Sequence, residues 1–200
     1  MDALAGAMAE GALSRAALRT QVIAPAVARL GTAWTDDEAS FVDVTIGTAR
    51  LTDALDRLPG RCRDGDGARV VLTPLPGDGH VLSLLLLAES LREGGFAVEV
   101  MARPSAAAVG RAVGGRADVL GIGVSVARHA GRSAMLVRAV RGAARGAPMP
   151  LVIAGGCAAA DGAALLRASG VDEVMTGGSD PVAWLKGHLE ARAVAAEASA

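Results

Sequence analysis

The chain has 200 residues, 52% of them hydrophobic but only 2% aromatic, so it can bury one α/β domain plus a small module around an aliphatic core. Twenty basic side chains against 21 acidic ones give a net charge of -1, which excludes a general electrostatic pull toward nucleic acid, and no basic stripe, helix-turn-helix spacing or zinc-finger pattern supplies a local one. No segment reaches the ~18 apolar residues of a membrane span, and no basic start followed by an apolar run marks a leader, so a cytoplasmic protein without membrane contact is expected.

Residues 3 to 58 show helical spacing and no strand pattern. A weak first segment covers Leu4 to Leu13. Ala17, Leu18, Val22, Ile23, Ala26, Val27 and Leu30 then mark a longer helix, with Gly31 as its stop. Asp36 or Asp37 offers a cap for the next, whose apolar face is Val42, Ile46, Ala49, Leu51, Leu55 and Leu58. About three such helices make too small a core to stand alone, so residues 1–58 are expected to pack as a cap on the larger domain. Pro59 to Gly67 is rich in Gly, Arg and Asp, and 59–68 is taken as the linker.

From residue 69 to 200, apolar runs alternate with helical patterns. Strands are predicted at 69–74, 96–101, 118–124, 150–154 and 172–175, with helices at about 80–93, 105–113, 130–145, 159–168 and 180–194. Five βα units imply a parallel sheet covered on both faces, and ligands of such sheets bind outside the carboxyl ends of the strands. Those ends bring Thr73 to His80, Ser125 to His129, Gly155-Gly156-Cys157 and Thr176-Gly177-Gly178-Ser179 to one edge.

The first of these groups carries the most chemistry. Asp78 and His80 lie two apart, so the carboxylate can accept a hydrogen bond from one ring nitrogen and leave the other free for a metal. Gly77 and Gly79 would let the backbone bend tightly and approach a bulky ligand, and the following helix points its N-terminus at the same place. The alternative is a solvated polar pair on a loop. Cys157 is either a redox-sensitive thiol or a small buried hydrophobe. Cys62 and Cys157, far apart in sequence, indicate a reducing compartment more than a disulfide framework. His129 is either structural or a group that supports or ligates a haem, and His188 reads as a solvated helix residue.

Gly77-Asp78-Gly79-His80, then an apolar helix ending in Leu91-Arg-Glu-Gly-Gly95, then Val119-Leu-Gly-Ile-Gly-Val-Ser125 and Ile153-Ala-Gly-Gly156, resembles the cobalamin-binding domain family over roughly residues 69 to 186. The resemblance implies a flavodoxin-like, Rossmann-like five-stranded parallel sheet. It also implies that His80 replaces the nucleotide base as lower cobalt ligand and that Asp78 orients it. The displaced tail would enter a slot bordered by Ser125, Gly155 and Gly156, and Gly79, Val81, Val126, Thr176 and Gly177 are further expected cofactor-binding residues. The last glycine of the family signature is Ser83 here, a side chain expected to narrow or re-route that slot.

Leu30-Gly-Thr-Ala-Trp34 and the helix after it resemble the helical cap of methyl-transfer corrinoid proteins and of cobalamin-dependent light-sensing regulators. There Trp34 would lie flat over the tetrapyrrole, with Phe41 and Thr45 sharing that upper face; otherwise Trp34 is a core anchor. The regulators place a Glu-His pair ten positions after the tryptophan, where this chain has Val44-Thr45. Water, a methyl group or another residue would then occupy the upper face. The segment Ser40 to Leu51 together with Pro76-Gly-Asp-Gly-His80 is most similar to the AerR/PpaA group, cobalamin-binding antirepressors of photosynthesis gene expression. That implies a non-enzymatic, light-responsive regulator, loaded with hydroxo-, methyl- or adenosylcobalamin, that captures a transcriptional repressor. A corrinoid carrier of a methyltransferase system and a haem-binding sensor are the alternatives. A receiver domain is disfavoured, since no acidic pair follows the first strand.

Overall fold

The computed structural model describes residues 14–57, 64–144, 146–177 and 180–198. The chain divides into two compact units, Met1–Arg63 and Asp64–Ala200. The segment Leu4 to Leu13, Leu58, Cys62, Gly178 and Ser179 lie outside the described residues.

In the first unit α1 (Arg15–Leu18), a π-helical turn (Arg19–Ile23) and α2 (Ala24–Thr35) run on without a break, and α3 (Phe41–Arg57) follows. Ser14 starts the run, its hydroxyl accepting from the Ala17 amide at 3.0 Å. The π turn has a cause in the sequence. Pro25 has no N–H to give the carbonyl four residues back and its ring crowds that carbonyl; the Ala24 amide instead reaches Arg19 O. Helical spacing alone predicted a uniform helix here.

Two predicted boundaries are corrected. Gly31 does not stop the helix, which continues through it to Thr35. The stop is Asp37, whose φ of 56° is left-handed, with the Glu38 amide bonded to Ala33 O at 2.8 Å and the Asp37 amide to Trp34 O at 3.3 Å. Nor does Asp36 or Asp37 cap α3. Ser40 and Asp43 do so reciprocally: the Asp43 amide donates to Ser40 Oγ at 3.2 Å, and the Ser40 amide and hydroxyl donate to Asp43 Oδ2 at 3.0 and 2.6 Å. Those bonds hold the Asp43 carboxyl below the usual carboxylate range. Leu18, Ile23 and Leu55 are buried, and Arg15 Nη2 donates to the Leu55 carbonyl at 3.1 Å near the end of α3. Val22, Val42 and Ile46, read as core-facing from their spacing, are exposed.

The second unit is a five-stranded parallel sheet: β1 (Arg69–Pro74), β2 (Ala97–Val100), β3 (Val119–Gly123), β4 (Leu151–Gly155) and β5 (Glu173–Met175), in the order β2-β1-β3-β4-β5. This is the flavodoxin-like arrangement, and its strand order reverses between β1 and β3. Along β3, Leu120 and Ile122 face one core with Val71, Val109, Val113, Leu136, Val140 and Leu166. Val119 faces the other with Val70, Leu72, Leu84, Leu91, Ile153 and Leu185. The first face is covered by α5 (Ala106–Val113), α6 (Ser133–Ala144) and α7 (Ala163–Ala168), the second by α4 (Leu82–Glu93) and α8 (Pro181–Glu197). Near-continuous apolar strands follow from burial on both sides. Among the described residues no helix is long and apolar enough to cross a membrane.

Residues 64–67 belong to this unit by their hydrogen bonds, although composition reads them as linker. The amides of Gly65 and Gly67 donate to Phe96 O and Gly95 O at 3.1 and 3.0 Å. Asp64 Oδ1 accepts from the Val98 amide at 3.0 Å and Arg92 Nε at 2.9 Å. These hydrogen bonds, the amide's first, and the Arg92 charge hold the Asp64 carboxyl below its ordinary value. A depressed folded value means the stabilisation is present at neutral pH and fades as pH falls below the ordinary 3.8. Asp64→Asn is therefore expected to lower stability by roughly 0.5–1 kcal/mol at pH 7, given its exposure. Urea titrations of both proteins should show that gap close in strong acid.

Candidate functional site at the carboxyl edge of the sheet

The site is built where β1 and β3 end side by side. Register puts Pro74, Gly123, Gly155 and Met175 in one row across β1, β3, β4 and β5 at that edge, on the face covered by α4 and α8. The two middle members of the row have no side chains. Backbone without side chains therefore crosses the middle of the edge, and both glycines are partly open to solvent, Gly123 with Leu84 packed against it.

The turn after β1 is tied to the same edge. Leu75 N–H bonds to Gly123 O at 3.3 Å, Asp78 N–H to Leu75 O at 2.9 Å, and Arg132 Nη1 donates to Pro76 O at 3.0 Å from the 3-10 turn Ala127–Arg132. Gly77 takes φ 81°, a left-handed conformation that suits glycine. Gly79 has no such need: it is absent from the left-handed positions and an added Cβ would meet nothing within 4 Å. Its expected role in bending the chain is therefore corrected; Gly77 makes the bend, and Gly79 leaves room.

Asp78 and His80 meet as the sequence spacing anticipates. The Asp78 side chain is 1% exposed and that of His80 is 67% exposed. Asp78 Oδ1 accepts from the His80 backbone amide at 3.1 Å and pairs closely with His80 Nδ1. Nδ1 bound to a carboxylate carries the proton, so Nε2 presents its lone pair outward. Asp78 Oδ2 is buried and has no hydrogen-bond partner among the described residues.

The remaining candidates divide. Ser125 and Val126 follow β3 half-buried, and Cys157 Sγ lies 3.7 Å from Ser125 O across the edge. Cys157 is exposed, which removes the buried-hydrophobe reading. Gly156 has φ 126°, and a Cβ there would stand 2.5 Å from Val124 O, so this glycine fixes the close approach of the β4 turn to β3. Thr176 and Gly177 are exposed beyond β5, with open space at Gly177. Val81 is half-buried before α4. Ser83 is exposed on the first turn of α4. His129 is half-buried in the 3-10 turn with Nδ1 enclosed and unpartnered among the described residues. His188 stacks on Trp184 at 4.0 Å and its Nδ1 pairs with Trp184 O at 2.8 Å, a role within α8. In the first unit Trp34 and Phe41 make an edge-to-face pair at 6.5 Å, 47% and 72% exposed, so Trp34 is not a core anchor. Thr45 is exposed one turn beyond Phe41, its hydroxyl bonded to Phe41 O at 2.7 Å.

One outward imidazole nitrogen is a sparse donor set, suited to a metal whose equatorial positions a macrocycle already fills. Carried on the turn after β1 at the carboxyl edge of a parallel sheet, it gives the edge the make-up of a tetrapyrrole-binding α/β module. The B12 binding domain family model matches residues 68–185, and the chain belongs to that family; its cofactor is cobalamin.

The chain is 33% identical over 92 residues to an uncharacterised 20.5 kDa protein in the bchF-crtJ intergenic region of Rhodobacter capsulatus, a match covering 44% of this chain and 48% of that one. The match thus spans about half the length of that curated relative. Among solved structures, the fold is similar to a monomethylamine corrinoid protein of Methanosarcina barkeri (17% identity, 93% of this chain, 87% of that chain, TM-score 0.69). It is also similar to a cobalamin-binding protein of Desulfitobacterium hafniense DCB-2 (18% identity, 80% and 76%, TM-score 0.50).

Two glycine substitutions should separate steric need from open space. Gly156→Ala is expected to cost about 2–3 kcal/mol and lower the melting temperature by several degrees. Gly79→Ala should change stability by less than about 0.5 kcal/mol in the same thermal unfolding experiment.

Proposed function

We propose that the protein is a cobalamin-dependent regulator that acts by contact with a transcriptional repressor. The observation that carries the cofactor half of this reading is His80: its ring is largely exposed on the turn after β1, while its inner nitrogen is held by a buried acid. Bound cobalamin supplies a cobalt–carbon or cobalt–water bond that light can exchange.

The protein's part is to bind and orient. His80 Nε2 is assigned as the lower cobalt ligand, and Asp78 holds the tautomer and ring direction this needs. The Gly123–Gly155 strip, rimmed by Ser125, Val126, Gly156, Thr176 and Gly177, is assigned to the nucleotide tail that His80 displaces. Val81 and Ser83 are assigned to its entrance. The regulatory half draws support from the likeness of Ser40 to Leu51 and Pro76 to His80 to the antirepressor group and from the similarity to the Rhodobacter capsulatus protein. A state-dependent surface would bind the repressor, a shift between conformers that differ in partner affinity.

A carrier of corrinoid methyl groups is the second reading, favoured by the likeness over 93% of the chain to the monomethylamine corrinoid protein, which bears on the fold. The two readings part on partner. A carrier hands a methyl group to a methyltransferase; a regulator changes repressor binding between darkness and light.

Hydroxocobalamin or adenosylcobalamin added to the purified protein should bind with a shifted visible spectrum. His80→Ala should abolish the shift, and Asp78→Asn should weaken uptake by about 10–100-fold. An unchanged spectrum in His80→Ala would remove the ligand assignment.

A further inference from the structure

We propose that Leu84 decides how readily this chain accepts a corrinoid that carries a nucleotide tail. The proposal rests on the tail assignment above and concerns a residue that assignment does not use. Of the two bare positions in the edge row, one is covered and one is not. A Cβ built on Gly123 would stand 3.0 and 3.2 Å from the two Leu84 Cδ atoms and 3.3 Å from its Cγ. The isobutyl group thus fills the space the missing side chain leaves. At Gly155 a Cβ would meet nothing nearer than Met175, at 3.6 Å, an ordinary contact with the next strand. The strip is therefore open over β4 and plugged over β3.

One row further into the sheet the pattern differs. A Cβ on Gly121 would stand 2.5 Å from Leu72 Cδ2, so a strand side chain that cannot leave the sheet fills that gap. Leu84 belongs instead to the first turn of α4, four residues after His80. That turn is weakly anchored. Its N-cap is Val81, with no side-chain hydrogen bond to the orphan amides, whereas Ser105 caps α5 and Asp180 caps α8. An uncapped first turn opens more readily than the body of a helix. A flat heterocyclic base laid along the strip needs the space over both glycines, so Leu84, only 6% exposed, has to swing out as the turn opens. A corrinoid without the tail needs no such displacement.

The test compares hydroxocobalamin with diaquacobinamide, which has the same ring and no nucleotide tail, by spectrophotometric titration of the full chain. Leu84→Ala should raise the affinity for hydroxocobalamin relative to diaquacobinamide by about tenfold. Leu84→Val, which loses one methylene, should fall between it and the native chain and carries the test if the alanine variant fails to fold, as checked by circular dichroism. An affinity ratio unchanged by both substitutions, in a protein whose spectrum still depends on His80, would overturn the role of Leu84 and leave the ligand assignment standing. Loss of the His80 dependence itself would overturn both.

Discussion

The hydrogen bond between a buried carboxylate and an exposed imidazole sets the character of this site. The Asp78 side chain is held almost wholly out of water, a costly placement for a polar group unless its oxygens are satisfied. The turn satisfies one of them twice, with the backbone amide and the ring nitrogen of His80. The ring is thereby fixed in one tautomer and one direction. Without it His80 would be a loop side chain free to turn; with it, one lone pair is aimed outward in a defined place.

The fold supplies the place. Parallel strands in the order β2-β1-β3-β4-β5 separate the crossovers after β1 and β3 to opposite faces, and the edge between them is left open. Hydrogen bonds from Leu75 and Arg132 tie the His80 turn to β3 and the turn after it, so the imidazole moves with the sheet. The paired glycines in the last row leave β3 and β4 without side chains at this edge, with Leu84 packed over Gly123. Cofactor binding follows from residues in one compact unit, whereas regulation or methyl transfer depends on surfaces that a partner reads.

Much of this was legible in the sequence for physical reasons. Strands buried on both faces are written as unbroken apolar runs, and all five were placed to within a residue or so. The Asp78–His80 pairing followed from spacing, since a two-residue separation on a turn lets a short carboxylate reach a ring nitrogen. Helix punctuation was less legible. Gly31 looked like a stop, but glycine is tolerated within a helix, and the left-handed residue that ends α2 is Asp37, a less common choice. The capping pair Ser40 and Asp43 competed with two aspartates a few residues upstream, and the π turn required weighing Pro25 against helical periodicity. The plug at Gly123 was hidden because pairing a glycine with Leu84 depends on strand register and on the direction of α4, which no local pattern encodes.

The central claim is that His80 Nε2, and no group of the cofactor, binds the lower face of the cobalt. Electron paramagnetic resonance of the protein loaded with cobalt(II) cobalamin, with histidine labelled by nitrogen-15, reads that bond directly. The account predicts that the axial superhyperfine triplet of the unlabelled protein becomes a doublet on labelling. A triplet that persists would show the cofactor's own base still in place and would contradict it.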